Sequence, residues 1–101
     1  MMMLNAYTIY DLKALQYYPP FFASTDAAAA RSFGDLCNDR NTNVGAHPAD
    51  YVLYCVGTFL DSNGRLEPLD PRRHVADGAS MVNPRTVMAE NHDELFSKGG
   101  K

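Results

Sequence analysis

The chain has no tryptophan, and no apolar run in it approaches the roughly 20 residues that a membrane span requires, so a soluble protein is expected. Its only cysteines, Cys37 and Cys55, stand far apart, and the opening Met1–Leu4 lacks the basic start of a secretory signal. A reduced cytoplasmic setting follows, with both thiols read as small buried hydrophobes in preference to a disulfide or a metal pair. His47, His74 and His92 are isolated, which leaves no metal-ligand spacing. No glycine-rich phosphate loop is present, and no Ser or Cys sits in a strand–turn–helix elbow. The charge also lacks a basic excess: the net is -3, so the simplest polyanion argument, a basic field over the whole surface, fails. Residues 1–70 carry Lys13, Arg31, Arg40 and Arg65 against eight acids, whereas residues 71–101 carry five basic and four acidic side chains. Any contact with a polyanion must lean on local patches.

What is present is one domain's worth of chain. At 101 residues the fold hides only about 60 to 65% of the surface its unfolded form exposes, and the core is thin. Leu4–Leu12 mixes β-branched and aromatic residues and reads as a first strand. Lys13–Phe22 contains Pro19-Pro20, which forbids a helix and predicts an extended, aromatic connection. Ser24 or Thr25 caps a helix over Asp26–Asn38, with Asp26 against its positive end. Ala29, Phe33, Leu36 and Cys37 form its apolar stripe. Asn38–Pro48 reads as a loop, and Asp50–Phe59 as a central strand that is apolar on both faces from Tyr51 to Val56. Asp61–Gly64 supplies a hairpin turn, and Arg65–Leu69 returns as a short edge strand because of Pro68.

The expected architecture is therefore α+β: a three-stranded antiparallel sheet in the order β-α-β-β with one principal helix, spanning residues 1–70. Residues 71–101 are expected to be loosely structured, with one amphipathic turn near Thr86–Phe96 and a flexible end over Ser97–Lys101. One helix covers one face of a sheet. The other face of the central strand needs cover from the Tyr17–Phe22 segment or from a second copy, and a homodimer through Tyr51, Val52, Leu53, Tyr54 and Val56 is expected.

The run from His47 through Pro48-Ala49-Asp50-Tyr51-Val52-Leu53-Tyr54-Cys55-Val56-Gly57-Thr58 to Phe59, followed by Asp61 and Gly64, resembles the small nonstructural protein of microviruses, the gokushovirus branch above all. Thr8-Ile9-Tyr10-Asp11, Pro19-Pro20-Phe21-Phe22, Ser32-Phe33 and Asp35-Leu36 follow that family's order, so the resemblance covers roughly residues 4–70. It implies a nonstructural protein of a single-stranded DNA phage, acting in the host bacterial cytoplasm around genome replication or packaging. It does not imply catalysis.

Tyr17-Tyr18 is similar to the paired tyrosine nucleophiles of rolling-circle initiators, but those enzymes also need a two-histidine metal site, which this chain does not supply. No enzyme activity, metal or cofactor is expected. Two functions remain. In the first, Tyr17, Tyr18, Phe21 and Phe22 stack the bases of single-stranded DNA, while Lys13, Arg31, Arg40, Arg65, Arg72 and Arg73 neutralise its backbone, with little sequence preference. In the second, the protein engages a viral or host protein of replication or assembly, and the acidic net charge favours this. The same four aromatics serve equally well as core.

Overall fold

The computed structural model describes residues 3–84. In chain order the strands are β1 (Met3–Asp11), β2 (Gln16–Tyr17), β3 (Phe21–Ala23), β4 (Tyr51–Leu60) and β5 (Arg65–Asp77). Helix α1 (Asp26–Cys37) and the single turn α2 (Asn43–Ala46) lie between β3 and β4, and short 3-10 turns occupy Pro48–Asp50 and Gly78–Met81. The α+β class and the one principal helix are as the sequence predicts. The sheet has five antiparallel strands where three were expected. β4 pairs with β1 on one side and β5 on the other, while β2 and β3 follow each other along the outer edge of β1.

Thr25, the second of the two expected caps, starts α1: its hydroxyl accepts the Ala28 amide at 3.1 Å. The apolar stripe of the helix lies on the sheet. Phe33, Ala29 and Cys37 are buried against Tyr7, Ile9, Tyr51, Leu53 and Cys55, the alternate residues of β1 and β4. Fully burying one large apolar side chain stabilises by about 1.5–3 kcal/mol, so this single layer accounts for most of the hydrophobic drive in so short a chain. Both cysteines belong to it and are free thiols. The β4–β5 hairpin turns at Asp61–Gly64, where Gly64 takes φ of +72° and donates its amide to the Leu60 carbonyl at 2.8 Å.

The expected boundary at residue 70 falls inside β5, which runs on to Asp77. The chain then returns to the helix. Gly78 is buried so close to the Pro48 carbonyl that a methyl group there would collide with it. Asn38, at the C-terminal end of α1, donates through Nδ2 to the Met81 carbonyl at 3.0 Å and accepts the Asn83 amide at 2.6 Å. This short terminal return is fastened to the helix, so loose structure does not begin at residue 71. The turn expected near Thr86–Phe96 and the end at 97–101 lie outside the described residues. Among the described residues no helix is long and apolar enough to cross a membrane.

Candidate functional site

Two irregularities in strand pairing create a groove on the sheet face opposite α1. Between the pairs Cys55↔Arg73 and Gly57↔Pro68, one residue of β4 faces four of β5. Leu69–Arg72 therefore bulge out, with a cis Asp70–Pro71 bond among them. On the outer edge of β1 the register steps from Tyr10↔Tyr17 to Tyr7↔Phe21, which sets Pro19 and Pro20 together opposite Thr8. Proline has no amide hydrogen to give a ladder, so this edge must break there. The two breaks form opposite walls. Between them lies a cavity of about 630 Å³, with Thr8 and Val56 beneath, Tyr17 and Pro20 on one side, and Pro68–Arg72 on the other. A smaller hollow of about 210 Å³ continues it past Val56 toward Leu66.

One end of the groove is aromatic. Tyr10 and Tyr17 are cross-strand partners with ring centroids 4.5 Å apart, and Tyr54 meets each of them at 6.4 Å. The Arg72 guanidinium stands 4.4 Å from the Tyr54 centroid and 5.8 Å from that of Tyr17. Such a cation over an aromatic face is attracted by the ring quadrupole. Arg72 has no carboxylate partner among the described residues. His74 meets Tyr54 edge-on at 6.0 Å, and its Nε2 lies 2.9 Å from the Asp77 carboxylate.

The four aromatics of the connection divide between the faces. Tyr17 and Phe22 are exposed, at 42% and 46%, on the groove side. Tyr18 and Phe21 turn to the core instead: Tyr18 meets Tyr51 at 5.9 Å, and Phe21 meets Tyr7 at 5.8 Å. The extra residue at Pro19-Pro20 causes this, because it shifts the strand's alternation by one and reverses which neighbour points inward. The segment thus divides two and two: Tyr18 and Phe21 pack on the core, and Tyr17 and Phe22 are exposed.

The expected dimer residues also divide. Tyr51 and Leu53, at 6% and 0% exposure, are inside the monomer beneath α1 and are unavailable to a second copy. Val52 is buried too, while Val56 lines the groove and Tyr54 stands at its edge against Arg72 and Tyr17. Among the cations, Lys13 lies in the β1–β2 turn, beyond the Asp11↔Gln16 pair, and Arg65 is at the far end of the hairpin. Arg31 is exposed on α1 and Arg40 follows that helix, so neither lines the groove. Tyr10 and His74, which sequence reasoning did not select, flank the aromatic end of the groove, and Tyr54, expected at a dimer interface, stands there against Arg72. Their signal was period-two alternation within β1, β4 and β5, which becomes informative only when the register is known.

Arg73 serves the other face. It forms a two-pronged ion pair with Asp26, and Nη2 donates to Oδ1 at 3.1 Å. The Tyr7 hydroxyl donates to the same Oδ1 at 2.6 Å and accepts from Asn5 Nδ2 at 3.0 Å. The Arg73 guanidinium first, and the Tyr7 hydrogen bond second, hold the Asp26 carboxyl below its ordinary range. Burial, then the carboxylate beside it, pushes the Tyr7 phenol upward. The hydrogen bond with Tyr18 and then burial do the same for Tyr51. Arg73 and Tyr7, through Asp26, anchor the helix start to the sheet.

The fold and the groove together define a small α+β protein in which, among the described residues, one sheet face is closed by a helix and the other is open, aromatic and cationic at one end. The chain belongs to the Phage ORF5 protein family, whose model matches residues 4–81, and is thus a bacteriophage protein. The match runs past residue 70 through β5 and its terminal turn. No curated protein and no solved structure matches the chain.

Proposed function

We propose that this phage protein is a non-enzymatic accessory factor of a single-stranded DNA phage of the microvirus, gokushovirus-like type. It binds single-stranded DNA in the host bacterial cytoplasm during genome replication or packaging. The observation that carries the reading is the Arg72 guanidinium, without a carboxylate partner among the described residues, 4.4 Å over Tyr54 and beside exposed Tyr17, at the mouth of a groove wide enough for an unstacked nucleotide. Tyrosine faces stack bases at about 1–3 kcal/mol each, and Arg72 and Lys13 supply the phosphate contacts. Few cations line the groove, so binding is weak and each phosphate contact counts. Fluorescence anisotropy with a labelled oligonucleotide at two salt concentrations tests this, comparing wild type with Tyr17→Ala/Tyr54→Ala. Saturable, salt-sensitive binding lost in the variant supports the reading; absence of binding at low salt rejects it.

A second reading has its own observation. Met3, Phe22 and Leu66 are exposed apolar side chains, and Phe22 packs on Phe59 with centroids 5.7 Å apart. Phe22 and Leu66 flank the far end of the open face, where a viral or host protein, or a second copy forming a homodimer, finds an apolar surface. Light scattering of the purified protein distinguishes a dimer from a monomer.

A further inference from the structure

The groove contains one group that a purely electrostatic DNA site would avoid. Asp70, on the bulge wall, is exposed and makes no hydrogen bond or ion pair with any described residue. It stands two residues from Arg72, which is equally without an ionic partner among the described residues and is held over Tyr54 instead. A carboxylate repels phosphate, so in a site for a polyanion it is useful only toward a part of the ligand that donates hydrogen bonds. In single-stranded DNA that part is a base edge. The available edges differ. Guanine presents two adjacent donors, N1–H and the N2 amino group, which match the two oxygens of one carboxylate. Adenine and cytosine each set an acceptor nitrogen beside their amino group, and thymine flanks its single N–H with two carbonyls.

We propose that the groove selects guanine: the base lies against the Tyr17–Tyr54 end, Arg72 faces the adjoining phosphate, and the Asp70 carboxylate accepts from N1–H and N2–H of the guanine edge. The proposal rests on the single-stranded DNA reading and replaces the sequence-neutral binding expected from composition with a preference. The bulge makes the selection feasible, since it carries Asp70 and Arg72 out of the ladder and onto one wall of the cavity. A duplex is excluded as the ligand, because there the same guanine edge is already paired with cytosine.

The test is anisotropy titration of the full chain with labelled single strands that alternate thymine with guanine, cytosine or adenine, and with an all-thymine strand. The measurements are repeated on Asp70→Asn, with circular dichroism verifying its fold. The expected result is about tenfold tighter binding of the guanine strand, a bidentate base contact being worth roughly that much. In Asp70→Asn the guanine strand falls to the level of the others, which keep or gain affinity as the negative charge is removed. Equal wild-type affinity for all four strands overturns the proposal while leaving single-stranded DNA binding intact. A guanine preference that survives Asp70→Asn also overturns it. Failure to bind any strand removes the underlying reading and the proposal with it.

Discussion

Arg72 and Arg73 are neighbours in sequence, yet the first lies over Tyr54 on the open face and the second is paired with Asp26 on the helix face. Strand alternation separates them, and their surroundings give them different work. Arg72→Ala is expected to weaken oligonucleotide binding and flatten its salt dependence by about one counterion, with little change in melting temperature. Arg73→Ala should leave affinity nearly intact and cost less than about 1 kcal/mol, because the pair is close to half exposed. Anisotropy and thermal melts on the two variants check both halves.

The Asp26 carboxyl, held low in the folded state by Arg73 and Tyr7, ties stability to acidity. Its contribution is fully present above the unfolded carboxylate value of about 4 and is lost as pH falls through the lower folded value. Asp26→Asn should be less stable than wild type at neutral pH, and the gap should narrow in acid. Urea melts at a series of pH values measure this.

Removing the buried hydroxyl tests the same anchor from the sheet side. Tyr7→Phe keeps the packed ring, which is fully buried, but deletes the 2.6 Å bond to Asp26 and the acceptor for Asn5. The expected cost is about 1.5–3 kcal/mol, typical of a hydrogen bond to a charged group. Phe33→Ala, which empties the centre of the helix–sheet layer, should cost about 3–5 kcal/mol and leave little folded protein.

The thiols give a chemical reading of the core. Burial pushes Cys37 up to about 11. With the folded value raised, its contribution to stability is complete below the unfolded thiol value of about 8.5 and disappears as pH rises through about 11. A thiol reagent at pH 8 should label neither Cys37 nor Cys55 until denaturant is added. Rapid labelling of the native protein would contradict the placement of both beneath α1.

Sequence legibility followed the range of the interactions. β1, α1, β4 and the Gly64 turn were readable because alternation, a capping threonine and an Asn-Gly pair act within a few residues. The strands β2 and β3 were not, since two or three residues carry no period; Tyr18 is held there by its amide bond to the Ile9 carbonyl at 2.8 Å. The length of β5 was hidden by Pro68 and Pro71, which end an ordinary strand; here Pro68 pairs with Gly57 at the edge of the bulge and Pro71 falls within it. For the site, the aromatic character of residues 17–22 was visible, whereas the division of those side chains between faces depended on a one-residue register shift. That Tyr10, Tyr17 and Tyr54 share one face is a property of the pairing, which no local pattern reports.

Both lateral margins of the sheet are interrupted by proline, Pro19-Pro20 on the β1 side and Pro68 with Pro71 on β5. A neighbouring chain seeking to extend the sheet would find missing amide hydrogens and a distorted outline on either side, the features that natural sheets use against edge-to-edge polymerisation. Fibre growth by strand addition is therefore disfavoured at both margins of the described sheet.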